Sequence, residues 1–190
     1  YLDEEILEEV LIFYQEAKQT GVIPLWLTQY EDDNQVWEMY NENEADLIIT
    51  WTDRFLESNL EDSAFTTIPT HDGLPYTLSS GWVWAIPAHQ PDHQELSLDL
   101  AKFLTASDYL GEWSEAAGVL PTRASSLEVW SSTDVKTIVE QIVLSANILP
   151  STDVLTSIGQ VLKDASVQIL NGESDPETAA QQAVEGLTEP

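Results

Sequence analysis

Apolar positions recur at helical spacing over most of the chain. Between Asp3 and Thr20 they fall at Ile6, Val10, Phe13, Tyr14 and Ala17, one stripe of an amphipathic helix, with acids in the first turn where the helix dipole favours them. Gly21 stops that helix. Leu25 to Tyr30 then lead into Glu31-Asp32-Asp33-Asn34, whose last members are suited to cap a short helix bearing Val36, Trp37, Met39 and Tyr40, which the run Asn41 to Glu44 ends. Asp46 to Thr52 is a β-rich run too short for a helix and reads as a buried strand. Phe65 to Ile68, closed by Pro69, reads as a second strand, His71-Asp72-Gly73 as a turn, and Tyr76 to Ile86 as a third strand in which Gly81 marks a bulge or close approach.

After Pro91 the pattern is helical to the end. Stripes run through Leu96, Leu100, Phe103 and Leu104, then through Tyr109, Leu110 and Trp113, with Ser107 as cap and Gly118 as stop. Val135, Ile138, Val139 and Ile142 form the next, and Leu155, Ile158, Leu162, Ala165 and Ile169 another, closed by Gly172. Asp175 as cap and Pro176 at the first position open a last helix burying Ala179, Ala183 and Leu187. The sum is an α/β or α+β chain, predominantly helical with a few strands.

Composition sharpens this picture. Thirty-four Asp and Glu face six Lys and Arg, a formal charge of −28, so no basic stripe exists to neutralise phosphates and nucleic acid is excluded as a partner. With 43% hydrophobic residues, seven Trp, six Tyr and four Phe, the chain has ample apolar surface to bury and is no acidic disordered tail. It has no cysteine, hence no disulfide, thiolate metal site or cysteine nucleophile. The acidic skin fits a high-salt or acidic exterior, or a compositional bias of the lineage. No apolar run approaches the roughly 18 residues of a membrane span. The chain starts at Tyr1 without an initiator Met or the order of a signal peptide, so a processed or partial polypeptide is expected.

Chemistry is sparse. His89 and His93 are four apart, but Pro87 and Pro91 make their stretch extended or turned, so they and His71 read as loop histidines and no metal or cofactor is expected. There is no calcium loop, phosphate loop, dinucleotide glycine pattern or nucleophile elbow, and with 34 acids any carboxylate pair is a chance choice. An enzyme is not expected. Aromatic placement says more: Trp51 follows one strand, Trp82 and Trp84 lie beside Gly81 in another, and Trp26 and Tyr30 follow the first helix. Strand ends are where open α/β sheets bind ligands, and an indole beside a glycine suits stacking on a sugar ring or another flat apolar face, with Asp53 and Arg54 able to hydrogen-bond.

The order of these elements resembles the extracellular solute-binding proteins of ABC importers, the maltose-binding-protein-like family 1. The residues that carry the likeness are Leu11-Ile-Phe-Tyr-Gln-Glu-Ala-Lys-Gln-Thr-Gly-Val-Ile-Pro24, then Val36 to Trp51, then Thr67-Ile-Pro69 with Leu78-Ser-Ser-Gly-Trp-Val-Trp-Ala-Ile86. The best match is Leu100-Ala-Lys-Phe-Leu-Thr-Ala-Ser-Asp-Tyr-Leu-Gly-Glu-Trp-Ser-Glu-Ala-Ala-Gly-Val-Leu-Pro-Thr-Arg123, and Ile169-Leu-Asn-Gly-Glu-Ser-Asp-Pro-Glu-Thr-Ala179 completes the series. The resemblance implies the C-terminal half of a two-lobe, type II periplasmic-binding-protein-like fold, the N-terminal half and lipoprotein leader having no counterpart before Tyr1. It implies residues 1–70 and 119–190 in the C-terminal lobe and 71–118 crossing to the N-terminal lobe. It further implies capture of a small solute, most naturally a carbohydrate, for delivery to ABC permease subunits, in an extracellular or periplasmic setting, with any membrane attachment through a leader or lipid anchor outside this chain. Ligand contacts would come from Trp51, Thr52, Asp53, Ser80, Gly81 and Trp82, and Arg123 would sit near the hinge. Two other readings are a helical protein-interaction module, which would bury Trp51 and Trp82 in one core, and a carbohydrate-active enzyme, for which no carboxylate pair stands out.

Overall fold

The computed structural model describes residues 2–58, 62–88 and 91–188. The chain forms two compact units, residues 1–48 with 150–190 and residues 49–149.

The first unit is helical. Helix α1 (Glu4–Gln19) is capped by Asp3, whose Oδ1 accepts the Glu5 and Ile6 N–H groups. It packs against α7 (Thr152–Asn171) and α8 (Pro176–Thr188) around Leu7, Leu11, Ala165, Ile169, Ala179, Ala180 and Ala183, with Tyr14, Val161 and Leu162 at the margin. Of the stripe expected to be buried, Ala17 is buried and Tyr14 packs against the core, but Ile6, Val10 and Phe13 face solvent; the inward face of the first turns of α1 is one residue on, at Leu7 and Leu11. Both stripes have helical spacing, and only the packing of α7 and α8 selects between them. Lys18 donates from Nζ to the Ile169 carbonyl at 3.5 Å, placing a cation at the negative end of α7. A 3-10 turn (Leu25–Gln29) leads to α2 (Asp33–Asn41), where Asp32 rather than Asp33 or Asn34 is the cap and forms a reciprocal capping box with Gln35. At the far end of the chain Asp175 caps α8, as expected, through the Thr178 N–H and hydroxyl.

The second unit runs through α3 (Thr52–Glu57), β1 (Thr77–Ser79), α4 (Pro91–Leu104), α5 (Ser107–Ala116), a 3-10 turn (Ala124–Val129), α6 (Thr133–Leu144) and β2 (Ala146–Ile148). Its core gathers Leu127, Trp130 and Val139 with Leu56, Phe65, Leu120, Val135 and Val143. Gly111 lets the turn lie directly on α5: a β-carbon there would stand 2.8 Å from Val129 Cβ and closer still to the Ser126 carbonyl. Trp130 Nε1 then donates to the buried Ser114 Oγ at 3.1 Å, and Ser114 donates to the Gly111 carbonyl. Gly118 ends α5 in the left-handed conformation, as its position predicts. Ala106, not Ser107, is the cap of α5; Ser107 shares a hydrogen bond with Ser125.

Strand content is smaller than the β-rich runs predict. Residues 46–51 form no strand, and Leu47 is 83% exposed, because no neighbouring strand is there to pair with them among the described residues. Phe65 to Ile68 contributes a single bridge, Ile68 to Tyr76, around the turn at residues 70–74. Of Tyr76 to Ile86 only Thr77–Ser79 is a strand, paired in parallel with β2 in the register Thr77 to Ala146 and Ser79 to Ile148. The predicted stripe of α4 is exposed at Leu96, Leu100 and Phe103, the Phe103 ring lying 4.9 Å from that of Tyr109 of α5. No described helix is long and apolar enough to cross a membrane.

Candidate functional site

All six residues nominated for ligand contact lie in the 49–149 unit. Trp51 is the cap residue of α3, with Thr52 and Asp53 in its first turn, and Asp53 Oδ1 accepts the Arg54 N–H at 2.9 Å. The opposite end of α3 is anchored. Leu56 and Phe65 join the Trp130 cluster, the Phe55 and Phe65 rings lie 4.4 Å apart, and Glu57 packs where a side chain at Gly118 would sit. A helix fixed at its C-terminal end thus presents Trp51, 45% exposed, at its other end.

Ser80, Gly81 and Trp82 follow β1. Pairing with β2 fixes where this segment begins, since the Leu149 N–H donates to the Ser79 carbonyl at 2.9 Å. Beyond Ser79 the chain is irregular to Pro87; Trp82 is 99% exposed and Trp84 is also exposed. Nothing within 4 Å would meet a side chain at Gly81, so the glycine leaves open space there and is not demanded by packing inside the chain. Neither indole is buried in a core, which removes the basis on which Trp51 and Trp82 would have marked an interaction module.

The two groups supply the pieces a hydroxylated solute needs: flat apolar faces from two indoles, hydroxyls at Thr52 and Ser80 that donate and accept, and the acceptor Asp53. Among the described residues no hydrogen bond or ring contact joins Trp51–Asp53 to Ser80–Trp82, so the structure presents them as two patches of one unit. Thr50, expected only as part of a strand, has a buried Oγ1 with no hydrogen-bond partner immediately before Trp51. A threonine closing an apolar run was the available signal. Leaving such a group unsatisfied costs about 1–3 kcal/mol.

Cavities lie elsewhere. One of about 20 Å³, room for a water, is lined by Ile86, Pro87, His93, Gln94 and Ser97, with Gln94 Nε2 donating to the Pro87 and Ala88 carbonyls. Another of about 150 Å³ lies between α7 and α8 beside Asp164, Gln168 and Gln182. Neither includes a nominated residue. Among the described residues no His, Asp and Glu side chains converge as a metal site, and His89 lies outside those residues.

Three carboxyls are held below their ordinary range, each by a local donor. The Leu74 N–H and the Thr70 hydroxyl act on Asp72, the Ser131 hydroxyl and N–H on Glu115, and the Thr178 N–H and hydroxyl on Asp175. These tie a turn, a loop and a helix cap, and none belongs to the nominated residues.

Comparison with known proteins places this geometry in context. A family model described as bacterial extracellular solute-binding protein matches residues 3–139, a span that includes α1 and all six nominated residues. No curated protein matches the chain.

Proposed function

Because this chain belongs to the bacterial extracellular solute-binding proteins, we propose that it captures a sugar or oligosaccharide between two lobes and delivers it to ABC permease subunits. Membership places it outside the cytoplasm, in the extracellular or periplasmic space, in a family whose role is solute binding for transport. The observation that carries the sugar reading is Trp82. An indole 99% exposed next to a glycine with open space around it leaves apolar surface wet, and stacking on a sugar ring removes that surface from water. Thr52, Asp53 and Ser80 would orient the solute, and Trp51 would supply a second apolar face.

The same reading assigns the chain to the C-terminal half of the two-lobe fold. It is supported by the exposure of β2: a parallel pair is stable when both faces are covered, yet Ile148 is 87% exposed. Residues 1–70 and 119–190 would form most of one lobe and 71–118 the crossing segment. Closure of the lobes on the solute would present a form that the permease prefers.

The test is a thermal-shift and tryptophan-fluorescence screen of oligosaccharides, amino acids, peptides and polyamines, on the full-length gene product and these 190 residues side by side. An oligosaccharide that raises the midpoint of the full-length protein and loses that effect in Trp82→Ala or Trp51→Ala supports the reading. Stabilisation by an amino acid, peptide or polyamine alone overturns the sugar assignment. No shift with any solute overturns solute capture.

A further inference from the structure

The negative charge is unevenly divided. The unit of residues 1–48 and 150–190 carries twenty Asp and Glu against Lys18 and Lys163, while residues 49–149 carry fourteen against Arg54, Lys102, Arg123 and Lys136. Within the first unit α1 carries five of these acids, four of them in its first six residues. Glu4 and Glu8, and Glu5 and Glu9, stand four residues apart, and Glu5 and Glu8 three apart, so like charges are neighbours about 5–6 Å from one another along the helix. Glu4 and Glu5 sit in the first turn, where the dipole offsets their charge; Glu8 and Glu9 lie beyond it. Lys18, the basic residue of α1, is engaged with the Ile169 carbonyl at the end of α7.

What opposes this repulsion is thin. Four of the seven buried residues holding α1, α7 and α8 together are alanines. Separations of about 5–6 Å are within the Debye length of about 10 Å at 0.1 M salt and beyond that of about 3 Å at 1 M, so the repulsion acts at low salt and is screened at high salt. We infer that the α1–α7–α8 unit is a salt-dependent fold, stabilised by general screening of the α1 carboxylates and not by a bound cation.

The experiment is thermal unfolding of the 190-residue chain by circular dichroism in 0.05–1 M NaCl, paired with hydrogen exchange and repeated on Glu8→Gln/Glu9→Gln. The midpoint is expected to rise by on the order of 10 °C over this range, with α1 amides gaining more protection than those of α6. The double variant, which keeps the first-turn acids, should gain about 3 °C at 0.05 M and show a shallower salt dependence. A change under about 2 °C in the parent chain overturns the inference. So does an unchanged salt slope in the double variant, which would assign the response to salting-out of apolar surface. A preference for MgCl2 over NaCl at equal ionic strength would likewise overturn it, by pointing to a bound cation.

Discussion

The two compact units solve the same problem, burying an apolar stripe, with different degrees of closure. In the unit built on α1, α7 and α8, Leu11 and Ile169 are almost wholly buried, and Asp3, Asp32 and Asp175 cap its helices from within the chain. In the 49–149 unit a core forms around Trp130 and Val139, but α4, the segment after β1 and the β1–β2 pair leave Leu96, Leu100, Phe103, Trp82, Trp84 and Ile148 in water. Local signals, caps and helical periodicity, are enough to build the first arrangement. The second depends on strand neighbours and a second layer, which are long-range features that no local signal provides. The contrast is one of degree, since α1 also leaves Ile6, Val10 and Phe13 exposed.

Core substitutions break the comparison most strongly. Ile169→Ala removes a side chain 1% exposed at the junction of α1, α7 and α8, and a loss of about 2–5 kcal/mol in urea unfolding is expected. A loss below about 1 kcal/mol would mean that this core is already loose and that the two units do not differ as described. In the second unit the corresponding probe is Gly111→Ala. Alanine improves helix propensity by about 1 kcal/mol, but the added methyl meets the Ser126 carbonyl and Val129, and overpacking of this kind costs about 1–3 kcal/mol. The clash is with backbone, which cannot rotate away, so a net loss of about 1–2 kcal/mol is expected in the same measurement. A stabilised Gly111→Ala would show that the 3-10 turn does not rest on α5 in solution.

The same division explains what was legible in the sequence. Helices with a cap and a stop were read nearly to the residue: Asp175 and Pro176 opening α8, Gly118 ending α5, Gly172 ending α7. Their outcome depends on groups within about four positions, which the sequence displays directly. The buried face of α1 is legible at Tyr14 and Ala17 but not in the first turns, where Ile6, Val10 and Phe13 are as apolar as Leu7 and Leu11 and the choice is made by helices about 150 residues away. The strands were overread for a related reason. Asp46 to Thr52 has strand composition, but composition does not provide a partner, and β2, which does pair, is the three residues Ala146–Ile148, too short a stretch to announce itself. Of the nominated ligand residues, the sequence indicated the aromatic types and their places after apolar runs; that Trp82 is free of the core follows from the geometry after Ser79.

The smallest effect is the sharpest probe of the second unit. Trp82→Ala removes the largest side chain in the protein, a change that in a core costs about 3–5 kcal/mol. At 99% exposure the indole has almost no packing to lose, so the unfolding free energy of the 190-residue chain should move by no more than about 0.5 kcal/mol. Fluorescence should agree: an indole as exposed as Trp82 is expected to emit as in water, and its removal should blue-shift the remaining spectrum, in which the buried Trp130 then weighs more. A loss of 2 kcal/mol or more would mean that Trp82 is covered in solution, for instance by self-association through the exposed faces of α4 and β1, and light scattering at the same concentration would register that association. A neutral substitution in this chain combined with a lost solute response in the full-length protein would separate the two roles open to an aromatic side chain, assigning Trp82 to binding and leaving the core to Trp130.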